Sequence, residues 1–293
     1  MPLPDEVAKR VEWLVDGVGV VAPPQGHPGA TSMLIDDGDV VLIDAGLAPA
    51  QSRALAPHVD LVVLSHCHAR HTLAAVDFDA VWAPREEAAA LEGVQSYLDT
   101  YGVAASDQDI VAGDLRRIGY KASQLTKKID EGGILRLGSY EWHFLATPGH
   151  SPGHLSFLEP ERHILFAGDL DAAPPWYGLP ASDPTELERT AMALVDVPVA
   201  HLVLSHEAPM RRGIKPMFRD MAETIHHRDR LIHGLLERPH SLDELASAGH
   251  LSGTKPATEL ERYHEHIMVE KHLARLLERD FVHARQDGRF EAT

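Results

Sequence analysis

The sequence predicts a layered α/β (α+β) domain followed by a small helical domain, and three observations lead to that fold class. The chain has 293 residues, of which 44% are hydrophobic and 24% are charged, and these are ordinary values for a globular protein. Short apolar runs separated by turn signals fill the chain up to about residue 210. Long helical patterns follow. We therefore predict one domain over residues 1–215 and a second over residues 216–293.

Strands are predicted to alternate with helices in the first domain. Residues 34–44 indicate two short strands around an Asp-Gly turn, and residues 61–65 indicate a buried strand. Residues 85–100 are rich in Glu, Ala and Leu and indicate a helix. Asp183 is typical of a helix N-cap, with a helix that continues to about residue 194. Further strands are predicted at residues 134–137, 140–147, 154–159, 163–167 and 201–205.

The second domain has the outline of a winged helix. Residues 219–236 predict a helix, Ser241 and Glu244 form a capping box that opens a short helix, and residues 259–279 predict a long helix. A turn at residues 286–288 predicts a terminal hairpin. Residues 216–293 carry 11 Lys and Arg against 14 Asp and Glu, so they offer no basic face to DNA. We expect this domain to serve packing or homodimer formation.

The composition limits the binding partners and the cellular location that we expect for this protein. The formal net charge of −17 should repel the phosphates of nucleic acids. No apolar run approaches the roughly 18 residues that a membrane span needs, and residues 1–6 are acidic rather than a secretory signal. The single cysteine, Cys67, excludes an internal disulfide and fits a reducing cytoplasm. We expect a cytoplasmic protein that acts on a small molecule, without a membrane partner and with nucleic acid disfavoured.

Four short segments place histidine or aspartate directly after a predicted strand. Three histidines within six residues, His66, His68 and His71, are hard to explain without a metal. Imidazole and carboxylate together suit zinc or non-haem iron. A G-x-S-x-G match at residues 149–153 is not a serine nucleophile, because a predicted strand follows it instead of a helix. The segments are residues 65–71 (SHCHARH), 147–154 (TPGHSPGH), 166–169 (FAGD) and 204–206 (LSH).

The order of these motifs, after an early strand that ends in LIDAG, resembles the metallo-β-lactamase fold superfamily. The resemblance covers roughly residues 12–210, and the tail, with the pair His227 and Arg228 in its first helix, is similar to the winged helix of one branch of that superfamily. It implies an αββα sandwich with a metal site at the edge of the two sheets. The resemblance implies that His66, His68 and His150 bind a first metal and that His71 and His206 bind a second. Asp169 would bridge the two metals, and Asp44 would support the ligands from behind.

One residue departs from the family pattern. Arg70 stands where the family motif HxHxDH has an aspartate ligand of the second metal, and a guanidinium cannot bind a metal. We therefore expect one tightly bound Zn²⁺ and a weak or empty second site, with iron as an alternative metal. We also expect Arg70 to pair with Asp169 and to help hold an anionic group of the substrate. An inactive relative is the alternative.

The leading functional hypothesis is a metal-dependent hydrolase that uses metal-bound hydroxide on an ester, thioester, lactone or related small substrate. Its catalytic residues would be Asp169, Arg70 and His206. The stretch HCHARH is close to that of relatives that oxidise a glutathione persulfide with a single iron, so a mononuclear iron sulfur-dioxygenase-like oxidoreductase is an alternative. A ribonuclease of the winged-helix branch and a non-catalytic binding module are the others. We expect Cys67 either to support the ligands from behind or to be buried, rather than to bind metal. We expect His154 to pack in a strand and the histidines after residue 215 to lie on the surface.

Overall fold

Two β-sheets face each other and helices cover both outer surfaces, which confirms the predicted αββα sandwich. The computed structural model describes Leu3, residues 8–171 and residues 174–293. Residues 1–6, interpreted above as acidic rather than a secretory signal, lie outside the described residues apart from Leu3.

The first sheet contains seven strands in chain order. Strands β1 to β4 pair antiparallel and β4 to β7 pair parallel, so β4 and β5 end side by side at one edge. Side chains alternate between the faces, because Met33 and Ile35 face the second sheet while Leu34 faces the outer helices. The strands are β1 Glu12–Val15, β2 Val18–Val21, β3 Ser32–Asp37, β4 Asp39–Ile43, β5 Leu61–Val63, β6 Val81–Pro84 and β7 Lys127–Ile129.

The second sheet contains five strands in the order β12-β11-β10-β9-β8. Strands β11 and β12 pair parallel and the others antiparallel. Trp142, Phe157 and Phe166 are fully buried against the first sheet, whereas Leu165 and Leu202 face the outer helices. The strands are β8 Ile134–Leu137, β9 Tyr140–Ala146, β10 Leu155–Glu159, β11 Ile164–Phe166 and β12 His201–Val203.

The helices form the two outer layers. Helices α3 and α4 cover the first sheet, and α5 and α6 cover the second. No helix among the described residues is both long enough and apolar enough to cross a membrane. The helices are α1 Pro49–Leu55, α2 Ala69–Thr72, α3 Val94–Thr100, α4 Gln108–Ile118, α5 Pro184–Leu194, α6 Ile214–Leu235, α7 Leu242–Ser247 and α8 Glu259–Glu278.

Most predicted elements are found, but the helix predicted at residues 85–100 is broken. A 3-10 turn at Ala88–Glu92 is separated from α3 by Gly93, whose φ of 145° lies outside the helical region. Asp183 caps α5 as predicted and accepts hydrogen bonds from the first backbone N–H groups of that helix. Strands β1, β2, β6 and β7 were not predicted, because strands of three or four residues show little alternation. Helix α4 was also not predicted.

The tail has the predicted order of elements. Helices α6, α7 and α8 are followed by a hairpin of β13 Val282–Ala284 and β14 Phe290–Ala292, and the capping box of Ser241 and Glu244 opens α7. One hydrophobic cluster runs from the second sheet through α5 and α6 to Leu276 of α8. The predicted boundary at residue 215 falls inside α6, and the tail packs as part of the outer layer. Its assignment as a separate winged-helix domain stays a prediction.

Candidate metal centre

The four motif segments meet at one edge of the sandwich. Asp44 follows β4, the histidine-rich segment follows β5, residues 147–154 join β9 to β10, Asp169 follows β11 and His206 follows β12. Because β4 pairs parallel with β5, and β11 with β12, each pair of strands ends at the same edge. The backbone joins the two sheets there, since the N–H of Leu155 donates to the carbonyl of Ser65 at 2.8 Å.

Two glycines allow the loops of the site to approach closely. Gly149 has a φ of 123°, and a Cβ at this position would lie 2.2 Å from the backbone nitrogen of Leu187 in α5. Gly168 has a φ of 59°, and its Cβ would lie 2.5 Å from Nε2 of His154. Residues with side chains rarely adopt these φ values and would clash here. Glycine in TPGH and GD therefore fixes where the next side chain of each motif points.

One oxygen of Asp169 faces three imidazole rings. Nε2 of His150 lies 2.8 Å from Nδ1 of His68 and 3.1 Å from Oδ2 of Asp169, and Nε2 of His66 lies 3.9 Å from that oxygen. A tetrahedral zinc with bonds of about 2.0–2.1 Å separates its donor atoms by about 3.3 Å, so these spacings fit one ion. Nε2 of His66 is buried and has no hydrogen-bond partner among the described residues. These four residues form a group able to hold a metal, called the closed group below.

The other oxygen of Asp169 faces a second group. Oδ1 lies 2.9 Å from Nε2 of His71 and 3.2 Å from Nε2 of His206, and the three residues are also able to hold a metal. Within the described parts of the chain, neither Oδ1 of Asp169 nor Nε2 of His71 makes a well-aligned hydrogen bond. The side chain of His206 is 39% exposed, so this second group opens to solvent and is called the open group.

Asp44 orients two of the histidines. Its Oδ2 accepts from Nδ1 of His71 at 2.7 Å and from Oγ of Ser65 at 2.8 Å, and its Oδ1 accepts from the Ser65 N–H at 2.7 Å. Oγ of Ser65 in turn accepts from Nδ1 of His66 at 2.9 Å. Both imidazoles therefore carry a proton on Nδ1 and direct Nε2 towards Asp169. These bonds hold Asp44 at a φ of 62°, which is uncommon for a residue other than glycine.

His154 orients Asp169, whereas the sequence led us to expect only packing in a strand. Its Nε2 accepts from the backbone N–H of Asp169 at 3.3 Å, so its Nδ1 carries the proton and donates to Oγ1 of Thr147 at 2.8 Å. Burial and then the nearby His150 lower the pKa of His154 to about 3. The available signal was its place four residues after His150 in the same tight turn.

His150 is oriented by a residue outside the motifs. Its Nδ1 lies 3.1 Å from the carbonyl oxygen of Trp176, which can only accept, so Nδ1 carries the proton and Nε2 is free to bind a metal. The ring of Trp176 lies 5.5 Å from that of His150 and 5.7 Å from that of His68. The ring of Tyr101 lies 4.7 Å from that of His68. The two aromatic residues form one wall of the closed group.

A buried carboxylate, Glu87, joins the two histidine loops. Its Oε2 accepts from the Cys67 N–H at 2.8 Å and from the Tyr101 hydroxyl, and its Oε1 accepts from the Gly153 N–H at 2.8 Å and from the Ser151 hydroxyl. Four donors surround the group, and this suits a carboxylate, which only accepts. The sequence did not single out Glu87, because it stands among other glutamates of a predicted helix.

Burial and neighbouring charges set the protonation of the site histidines. Burial lowers the pKa of His66 and of His68 well below the usual value, and neighbouring histidines add to the effect. Both are therefore neutral, which is the form that binds metals. Burial would also lower the pKa of His71, but Asp169 and Asp44 outweigh it and raise that pKa to about 10.

The open group has a second carboxylate beside it. Burial would lower the pKa of His206, but Asp169 outweighs it and raises that pKa. Oδ1 of Asp171 accepts from the His206 N–H at 3.3 Å, and burial followed by the charge of Asp169 raises the pKa of Asp171 to about 7. The sequence reasoning missed Asp171, although it stands two residues after the GD motif.

The predicted ion pair between Arg70 and Asp169 is wrong. Nη1 of Arg70 donates to the carbonyl of Pro28 at 2.9 Å, and none of the ion pairs of Asp169 in the described chain involves Arg70. The carboxylate of Asp169 already pairs with four imidazoles, while α2 directs the half-buried Arg70 towards the neighbouring loop. A catalytic role for Arg70 stays a prediction.

The burial of Cys67, Ser151 and His272 bears on three further expectations from the sequence. Cys67 is fully buried and outside both donor groups, as expected, and burial raises the pKa of its thiol well above the usual value. Ser151 is buried and followed by β10, so it is not a nucleophile elbow, as expected. His272 contradicts the expectation of surface histidines in the tail, because it is fully buried and bonded to Tyr177 and Asp229.

Fold and site together define an αββα protein with a His/Asp cluster able to hold a metal. Comparison with the sequences of known families shows which family the protein belongs to. The sequence profile of the metallo-beta-lactamase superfamily matches residues 26–206. Because this match covers more than half of the chain, the protein belongs to the metallo-beta-lactamase superfamily. The matched range contains both donor groups.

Curated relatives match this chain over short stretches. The hydroxyacylglutathione hydrolase GloC of Haemophilus influenzae is 45% identical over 40 residues, which are 14% of this chain and 19% of the relative. An acyl-coenzyme A thioesterase of Bos taurus is 29% identical over 115 residues, which are 38% of this chain and 40% of the relative. The chain thus spans well under half the length of these relatives.

Solved structures share the fold over almost the whole chain. A metallo-beta-lactamase family protein of Thermus thermophilus has a TM-score of 0.75 at 19% identity and covers 96% of this chain and 100% of its own. A beta-lactamase domain protein of Burkholderia ambifaria has a TM-score of 0.71 at 14% identity, and the match covers 97% of this chain and 93% of that protein. At these identities the likeness shows the fold, tail included.

Proposed function

We propose that this protein is a metal-dependent hydrolase of small acyl compounds that cleaves an ester, thioester or lactone. The observation that carries the proposal is the closed group, in which the donor atoms of His66, His68, His150 and Asp169 converge at spacings that fit one ion. The names of two relatives, a hydroxyacylglutathione hydrolase and an acyl-coenzyme A thioesterase, support a thioester as the first substrate class to test.

The closed group would hold one ion tightly. We propose zinc, because three imidazoles and one carboxylate at tetrahedral spacing suit it, with iron as the alternative. When bound, such an ion supplies Lewis acidity and lowers the pKa of a water molecule to about 7. The open group of His71, Asp169 and His206 would bind a second ion weakly, since Arg70 replaces an anionic ligand there.

The residues themselves position the substrate and a water molecule. Asp169 presents one oxygen to each donor group, so with the open group empty its Oδ1 would accept a hydrogen bond from a water molecule and orient it. His206 lies on the open side and its side chain is 39% exposed, so we propose it as a candidate for contact with the leaving group. Tyr101 and Trp176 exclude water from one wall. We retain Arg70, at the start of α2, as a candidate for binding an anionic part of the substrate.

Elemental analysis and a substrate panel test this proposal. Protein purified without added metal should contain about one zinc per chain and should hydrolyse a thioester faster than an ester, a lactone or a phosphodiester. His150→Ala should lose both zinc and turnover, and His283→Ala, at an exposed position of the tail, should keep both. Iron with oxygen uptake on a persulfide would instead support the oxidoreductase. Phosphodiester cleavage alone would support the ribonuclease.

We also propose a small-molecule substrate, a cytoplasmic location, and a winged-helix tail that serves packing or homodimer formation. The net charge of −17 and the single cysteine support the first two. The order of helices and hairpin in the tail supports the third. Size-exclusion chromatography with light scattering tests the homodimer, and a monomeric mass at micromolar concentration would refute it.

A further inference from the structure

A buried polar network connects the helices of the tail. It consists of Tyr177, Arg228, Asp229, His272 and Arg275, each at most 5% exposed. The Asp229 carboxylate accepts from Nδ1 of His272 at 2.6 Å and from Nη2 of Arg275 at 2.9 Å. Nε2 of His272 must then accept from the Tyr177 hydroxyl, 2.7 Å away, because its other nitrogen carries the proton. The direction of every hydrogen bond in this network is therefore determined.

The network holds the segment that carries the carbonyl of Trp176. Nη1 of Arg228 donates to the carbonyl of Pro175 at 2.6 Å and to the Tyr177 hydroxyl at 2.7 Å, so both neighbours of Trp176 are fixed. The Trp176 ring also packs edge-on against His264 of α8, with ring centroids 5.1 Å apart. The tail therefore fixes Trp176 through its backbone neighbours and through its ring.

The Trp176 carbonyl is the group that accepts from Nδ1 of His150, at 3.1 Å. A neutral imidazole has two tautomers, and only a proton on Nδ1 leaves Nε2 free for the closed group. Partners behind a metal-binding histidine set its tautomer and ring orientation, and their loss lowers metal affinity by about 10-fold to 100-fold. A displaced carbonyl would thus weaken the metal site from a distance.

We infer that Tyr177, Arg228 and His272 are positioning residues for His150, acting through the carbonyl of Trp176. The inference rests on the proposed function, because it requires that the closed group binds metal. It makes the tail part of the metal centre although the tail supplies none of the donor atoms of that group. A network that only joins α6 to α8 would change the stability of the protein and leave metal affinity unchanged.

The test measures zinc affinity and the visible spectrum of the cobalt form in the full chain. Tyr177→Phe keeps the ring and removes the hydroxyl that bonds His272 and Arg228. We expect a zinc Kd about 10-fold higher and an altered cobalt spectrum. The control is Val269→Ala, a fully buried position of α8, which should lower the Tm and leave the Kd and the spectrum unchanged. Equal effects of the two variants on the Kd, or none from Tyr177→Phe, would overturn the inference.

A second pair of variants decides the matter if Tyr177→Phe does not fold. His272→Gln can still donate to Asp229 and accept from Tyr177, whereas His272→Leu can do neither. We expect wild-type affinity for His272→Gln and a loss of about 10-fold for His272→Leu. Equal affinities would overturn the inference. Wild-type protein that binds neither zinc nor cobalt stoichiometrically would instead overturn the proposed function.

Discussion

Replacing Glu87 by glutamine should loosen both histidine loops at once. An amide has one accepting oxygen, so it cannot serve the Cys67 N–H and the Gly153 N–H together, because these bonds go to different oxygens of Glu87. One backbone N–H left without an acceptor costs about 1–3 kcal/mol, and the remaining bonds lose the strengthening that a charge gives. We expect the free energy of unfolding to fall by about 2–4 kcal/mol, which corresponds to roughly 3–7 °C in Tm for a chain of 293 residues.

The matched control for this prediction is Glu86→Gln, the same chemical change at the exposed neighbouring position. Thermal unfolding and zinc titration are measured on both variants and on the wild type. Glu87→Gln should bind zinc about 10-fold more weakly, since the loops that it joins carry His66, His68 and His150. If the two variants unfold together and bind zinc equally, the claim that this carboxylate holds the loops is refuted.

Three further predictions concern the second site, nucleic acid and the thiol. Wild-type protein should hold about one metal per chain by elemental analysis. Arg70→Asp should hold about two, because the change restores an anionic ligand beside the open group. Two tightly bound ions in the wild type would contradict this prediction. Duplex DNA or RNA should show no micromolar binding in fluorescence anisotropy at about 150 mM salt, and binding there would overturn the packing role of the tail. Cys67 should react with a thiol reagent at pH 8 only after unfolding, because burial raises its pKa; rapid reaction of the folded protein would disprove this.

The sequence predicted the residues of the donor groups because their signal is local. An apolar strand followed at once by His66 or Asp169 shows where the chain leaves the sheet, and parallel pairing brings such ends together. The partners behind these residues could not be predicted in the same way. Glu87 lies 20 residues from Cys67 and Trp176 lies 26 from His150, and no local pattern links them.

Side-chain direction was the other limit of prediction. A guanidinium cannot bind a metal, so the sequence excludes Arg70 as a ligand. Its long side chain reaches Pro28 instead of Asp169, and only the packed structure decides between such partners. In the same way, the histidines of the tail follow no ligand pattern and were expected on the surface, but burial of His272 depends on the contacts of α8 with the rest of the molecule.

The donor atoms of the closed group come from both sheets, with His66 and His68 after β5 of the first and His150 and Asp169 beside β10 and β11 of the second. An ion bound there would add a direct link between two layers that are otherwise held by packing and by hydrogen bonds such as that from the Leu155 N–H to the Ser65 carbonyl. Its effect on folding follows mass action, adding about 2.7 kcal/mol at a free metal concentration 100 times the Kd. The melting temperature of this protein should therefore rise with free metal concentration, so the metal supply of the cell would help to set the temperature range over which the sandwich stays closed.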